Sequence, residues 1–260
     1  MNIIRNNKLH YSKDFINACR INNLKPAALL QYFIEHISFY SFLGAEMEPI
    51  YLWATRVVTD CTVQPGNHVT ENTNPAQRDI ALKYIKLLTT LLFEEGVDKA
   101  AETEKSIVIM KNWAADMAPY RDYPQGTITS SGDILHFSFD LNLICSLKGL
   151  TVPQVLQAFI NDISLAADRG NNLFQNTRTT PAMTVLLLLL SSHEAIRDKI
   201  LPHQHIYREF GLRLLEIDKI LKEEPGVQQR IDHYDIFYHQ WYTALQLADT
   251  HESGDHHGSK

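Results

Sequence analysis

The sequence is poor in everything that would staple or anchor a chain. It has three cysteines in 260 residues, Cys19, Cys61 and Cys145, an odd and widely spaced set with no Cys-x-x-Cys pair. That pattern gives neither a disulfide framework nor a zinc site, and it fits a reducing compartment. Long apolar runs are missing as well. The longest, Val185–Leu190, is six residues, far below the roughly 20 that cross a bilayer. Met1–His10 carries charges but no apolar core, so no signal peptide is read there.

Basic charge is also scarce. There are 24 Lys and Arg against 30 Asp and Glu, a net charge of −6. Residues 249–260 carry −2 of it, leaving about −4 on the rest. Phosphate contacts and counterion release drive nucleic-acid binding, so a chain without a basic excess is not steered toward it. Phosphate-cradling glycine loops, a Gly-x-Ser-x-Gly elbow and a His-Glu-x-x-His motif are all absent from the sequence. No Glu is followed by His three residues on, which removes the paired pattern of a di-iron bundle. The expectation is a cytoplasmic protein without cofactor, leaning away from enzymes.

What the chain does have is apolar material and a repeat. At 45% hydrophobic residues it can bury a core without metal or disulfide. Leu9–Ser38 and Leu135–Ser164 align without a gap at an offset of 126, with twelve of 30 positions identical. The identities include His10/His136, Ser12/Ser138, Asp14/Asp140, Cys19/Cys145, Gln31/Gln157 and Phe33/Phe159. Leu87-Leu88 and Leu214-Leu215 continue the register at 127, Trp113 and Trp241 at 128. The reading is an all-α chain of about ten helices in two homologous five-helix halves, 1–128 and 129–248. A disordered polar tail, 249–260, follows.

Local chemistry places the helices. Ser12 or Asp14, and Ser138 or Asp140, cap a first helix that runs to about Asn22 or Lys148. Asn23 and Gly149 then fit the left-handed residue that ends it. Second helices start at Pro26 and Pro153. The first of them, to Leu43, is apolar nearly all round, apart from a stripe of Gln31, Glu35 and Ser38; its copy has Gln157, Asn161 and Ser164. Further helices are expected over 46–62, 76–95, 98–118, 181–200, 203–223 and 227–248. Residues 64–75 and 119–132 read as loops. Alternation at Leu135, Phe137 and Phe139, echoed by Leu9 and Tyr11, suggests one short two-stranded ribbon joining the halves.

Several polar sets are candidate sites. Asp232, Asp235 and His239 are spaced i, i+3, i+7 and could ligate a metal; a polar helix stripe explains them better. His251, His256 and His257 in the tail could take metal weakly, though a solvated tail explains them better. The repeated His10/His136 with Ser12/Ser138 could form a paired binding element; helix capping accounts for the serines. Cys61, at a helix end, is the more reactive thiol by position.

Ile144–Ala158, with Cys145, Gly149, Leu150 and Val155, resembles a helix-turn-helix unit. Cys19, Asn23, Leu24 and Leu29 repeat its register. A ribbon followed by two helices also resembles a ribbon-helix-helix unit. The resemblance implies DNA binding, and Lys13, Arg20 and Lys25 would then hold phosphates. The second hairpin offers Gln154, Gln157, Asn161 and Asp162 with no cation beside them. The favoured reading is therefore a non-enzymatic helical interaction or regulatory protein that docks a protein or peptide partner. A DNA-binding regulator is the alternative, and an enzyme or small-ligand binder with a helical pocket the second alternative. Tight DNA binding at physiological salt is not expected.

Overall fold

The computed structural model describes residues 8–42, 48–62, 75–94, 96, 98–121, 125–172, 179–192 and 202–255. Among them are twelve helices and one antiparallel ribbon. In chain order these are α1 (Lys13–Ile21), α2 (Pro26–Glu35), α3 (Phe39–Phe42), α4 (Pro49–Asp60), α5 (Pro75–Leu92), α6 (Lys99–Arg121), β1 (Thr127–Ser130), β2 (Asp133–His136), α7 (Phe139–Lys148), α8 (Val152–Asn161), α9 (Leu165–Asn172), α10 (Pro181–Ser191), α11 (Gln204–Leu221) and α12 (Val227–Asp255).

The first-helix chemistry is the same in both places. Ser12 Oγ accepts from Phe15 N–H, and Ser138 Oγ from Leu141 N–H, each at 3.2 Å. Both helices end in a left-handed residue, Asn23 at φ 52° and Gly149 at φ 68°. The next N–H folds back, Leu24 to Cys19 O and Leu150 to Cys145 O, each at 2.8 Å. Satisfying these terminal groups is what stops the helix there. Ser138→Ala removes the α7 cap and is expected to cost about 1 kcal/mol, read as a lower denaturant midpoint at unchanged slope.

The second helix differs from expectation. Instead of running from Pro26 to Leu43 it breaks after Glu35, and its counterpart breaks after Asn161. Ser38 Oγ accepts from Tyr40 N–H at 3.2 Å, and Ser164 Oγ from Ala167 N–H at 3.1 Å. A serine read as part of a polar stripe is in fact a cap that starts a new helix. These two breaks account for twelve helices rather than ten.

Two other expectations are corrected. The ribbon does not pair residues 9–11 with 135–139. It is a local hairpin, with Thr127 opposite His136 and Ser130 opposite Asp133, and it uses part of the stretch read as a loop. Ser131 and Gly132 both take positive φ, the turn that matches strand twist. The last helix continues beyond Ala248 to Asp255. The 64–75 loop (except Pro75), the end of the 181–200 helix, and His256 and His257 fall outside the described residues.

The contacts separate two compact units: residues 1–33 with 156–260, and residues 34–155. In the first unit α1 packs on α9 and α12. Its core gathers Ile206, Phe210, Tyr234, Phe237, Tyr238, Trp241 and Leu245 with Ile21 of α1 and Ala166 of α9. Phe33 stacks on Phe159 at 4.1 Å, both fully buried. In the second unit α7 packs on α3 and α5, while α5 and α6 form a hairpin. Trp113 of α6 is buried against Phe39 at 4.4 Å, with Tyr40 edge-on.

Candidate functional site

The polar residues singled out from the sequence are largely occupied in joints between helices. Lys13 of α1 pairs with Asp235 of α12 at 3.1 Å. Arg20 pairs with Asp249 and also donates to Leu245 O at 3.4 Å. Lys25 is exposed, just ahead of α2. Two of the three candidate phosphate-holding cations thus face carboxylates of α12. Asp235 is bound to Lys13, Asp232 accepts from Gln228 at 2.9 Å, and the His239 ring lies against Tyr242. Asp232 and His239 are exposed on the outer side of α12. Among the described residues, no three His, Cys, Asp or Glu side chains gather as a metal-binding group.

The repeated His and Ser set divides by role. The serines cap α1 and α7, and their hydroxyls also reach across: Ser12 to Ile160 O at 3.5 Å, Ser138 to Ile34 O at 3.1 Å. His10 is held through its backbone, which exchanges two hydrogen bonds with the Gln157 amide at 2.9 and 2.8 Å. The side chains of His10 and His136 are exposed.

Two polar networks between helices, one part-buried and one buried, go beyond what the sequence reading singled out. Arg169 of α9 binds the Asp218 carboxylate of α11 through two nitrogens, and Tyr234 Oη of α12 donates to the same carboxylate at 2.8 Å. Burial would raise the Asp218 carboxyl; the Arg169 and Tyr234 donors outweigh it and hold the group below its ordinary value. A carboxyl depressed in the folded state stabilises above its unfolded pKa, and that stability is lost as pH falls through the folded value. Asp218→Asn is therefore expected to flatten the acid limb of stability against pH. In the second network the Arg230 guanidinium, buried within α12, donates to Gly170 O at 3.0 Å and Glu224 O at 2.8 Å.

The thiols behave as packing groups. Burial pushes the Cys19 and Cys145 thiols up to about 12, which leaves almost no thiolate at neutral pH. Cys61 at the end of α4 is partly exposed. A thiol-reactive probe at pH 8 is expected to modify one group per folded chain quickly, identified as Cys61 by peptide mass. Rapid labelling of Cys19 or Cys145 would contradict this burial.

Large apolar side chains stand exposed on the two long hairpins, and singly elsewhere at Leu52, Ile134 and Leu187. On α11, Leu212, Leu215 and Ile220 are exposed; at about 100° per residue Leu215 and Ile220 stand about 140° apart, on either side of Leu212. Ile236 and Leu247 of α12 are exposed in one row, eleven residues apart. In the other unit, Leu92 and Phe93 at the end of α5 and Ile107 and Val108 of α6 are exposed, Phe93 at 81%. Where α11 turns toward α12, a cleft of about 430 Å³ is lined by Ile217, Ile220, Leu221, Glu223, Glu224 and His233. No single helix among the described residues is long and apolar enough to cross a membrane.

No family model, curated protein or solved structure matches the chain.

Proposed function

We propose that this chain is a non-enzymatic helical interaction protein, a regulatory or scaffolding factor of a reducing, cytoplasmic compartment, whose partner is a protein or peptide. One observation carries the reading: large apolar side chains stand exposed on the hairpins of both units, while the buried Arg230 and the part-buried Arg169–Asp218 pair are tied into joints between helices. Exposed apolar clusters of this kind are what docking surfaces are made of.

We further read the chain as a duplicated helical half whose first helix is exchanged. Support comes from the reciprocal bonds. Ser12 reaches Ile160 in one unit and Ser138 reaches Ile34 in the other, and both partners are 126 residues apart. The pattern α1 on α9, and α7 on α3, repeats the same exchange. Every element of the first half has a counterpart at an offset of 126–132, down to α6 starting at Lys99 and α12 at Val227.

The test is a variant with Leu212, Leu215, Ile220 and Ile236 all changed to Ser. Exposed substitutions away from special features shift stability by about 0.5 kcal/mol or less each, so the fold is expected to survive. In source-cell extract at native expression level, wild-type chain is expected to elute in a complex and the variant to elute near 29.8 kDa. Identical elution of both would defeat the reading for this hairpin.

A further inference from the structure

We propose that the outer face of α6 pairs with the same face of a second copy of this chain, the two helices antiparallel about a two-fold axis that passes between Ile107 and Val108. The inference goes beyond the partner reading above, which keeps Leu92, Phe93 and the apolar groups of α11 and α12 for a different protein.

α6 is apolar on two sides. Trp113 and Met117 are buried on its inner side. Ala100, Glu104, Ile107, Val108, Lys111 and Ala115 are all exposed. At about 100° per residue these six fall within about 100° of arc, on the side away from Trp113 and Met117. One helix can cover an arc of that width. Ile107 and Val108 stand in its middle, at 49% and 56% exposure.

The order of residues on this face is self-complementary. A two-fold interface makes each contact twice. With the axis between Ile107 and Val108, Glu104 lies beside Lys111 of the second copy, and Lys111 beside Glu104 of the second copy. Both stand the same distance from the axis along the helix, about 5 Å. Ala100 and Ala115 match in the same way further out, and Ile107 and Val108 meet their own copies across the axis. Within one chain Glu104 and Lys111 are about 10 Å apart along the helix, too far to pair with each other. Neither has an opposite charge three or four residues away on α6. The charges flanking the face are engaged elsewhere: Lys105 pairs with Glu94 at 3.0 Å and Asp116 with Lys83 at 3.2 Å.

Charge also selects the occupant. The chain's net −6 opposes self-association in general. α6 escapes this, because Lys99, Lys105, Lys111 and Arg121 balance Glu102, Glu104 and Asp116 and leave the helix close to neutral. Counted 128 residues on, α12 has Asp232, Asp235, Ile236 and His239 where α6 has Glu104, Ile107, Val108 and Lys111. That face lacks the lysine and half of the apolar centre, so it cannot pair with itself in this way. The α6 contact runs about 22 Å along each helix. One helix pair buries less than the roughly 800 Å² per partner of a standard interface. Micromolar dissociation is therefore expected, and the pair comes apart in dilute extract.

The experiment is sedimentation equilibrium of the purified full chain over total concentrations from about 1 to 100 μM. The mass is expected to climb from 29.8 kDa toward twice that value. Changing Ile107 and Val108 together to Ser is expected to weaken the dimer at least tenfold. Glu104→Lys and Lys111→Glu should each weaken it several-fold, since each places two like-charge contacts in the pair. The double variant carrying both reversals should dimerise like the wild type, yet mix poorly with it. Helical circular dichroism confirms that the variants remain folded. A monomer throughout the range, a dimer unchanged by the two serines, or a double reversal no tighter than its single variants would overturn the proposal. Ready mixing of the double reversal with wild type would mean parallel helices and would overturn it too. No partner protein is present in this experiment, so its failure leaves the interaction reading to its own test.

Discussion

Phe159→Ala is expected to be among the most damaging single substitutions in the chain. Its ring is fully buried and stacked on Phe33 at 4.1 Å with an angle of 11°. Truncation removes the transfer energy of a large aromatic side chain, leaves a cavity and takes away the stacking partner of Phe33. The loss expected is roughly 3–5 kcal/mol. In a protein of this size that lowers Tm by about 10 °C. Phe33→Ala should behave alike, and the double variant should lose less than the sum, because each single change already destroys the pair. Phe93→Ala, at an exposed site, serves as the control and should change stability by about 0.5 kcal/mol or less. A Phe159→Ala protein that melts with the wild type would mean that this stack is absent in solution.

Arg230→Ala should rank beside it. The guanidinium is 2% exposed and bridges the end of α9, the turn after α11 and its own helix through Gly170 O and Glu224 O. Removing it empties a long side-chain volume and strands the buried Gly170 carbonyl and the part-buried Glu224 carbonyl; a buried group left unpaired costs about 1–3 kcal/mol. Relief of burying a charge offsets part of this. The net loss expected is about 3 kcal/mol, seen as a lower denaturant midpoint. Lysine would not rescue it, because one ammonium cannot span two carbonyls in the fork geometry of arginine. The neighbouring packing is equally tight: a Cβ on Gly170 would come within 2.6 Å of Ile231 Cγ1 and 3.1 Å of its backbone nitrogen. Gly170→Leu should therefore be comparably harmful by overpacking. Wild-type stability in Arg230→Ala would contradict the bridging role.

The parts of this fold that depend on neighbours in sequence were legible, and those that depend on distant partners were not. Ser12, Ser138, Asn23 and Gly149 announced helix ends because a cap is formed within three or four residues. Ser38 and Ser164 hid the same chemistry inside a polar stripe. Ser131-Gly132, between Thr-Ile-Thr-Ser and Asp-Ile-Leu-His, carried a hairpin signal that composition alone read as loop. Arg230 offered a signal too. It stands four before Tyr234, in the row that continues to Phe237, Tyr238, Trp241 and Leu245, so helical spacing puts it on the buried face. The Arg169–Asp218 pair, 49 residues apart, gave none. The apolar cleft was also beyond reach. Helical spacing gathers Ile206, Phe210, Leu214, Ile217 and Leu221 on one face and leaves Ile220 beside it, but the cleft forms only where the chain turns from α11 to α12.

Site-specific photo-crosslinking in the source cell tests the central claim most directly. A photoreactive amino acid replaces Ile220, Phe93 or, as a control on an exposed polar position, Asp133. A docking role for the apolar hairpin faces requires a discrete crosslinked protein from position 220, position 93 or both, and none from position 133. Equal, diffuse crosslinking at all three positions, or none at either apolar position, would contradict it.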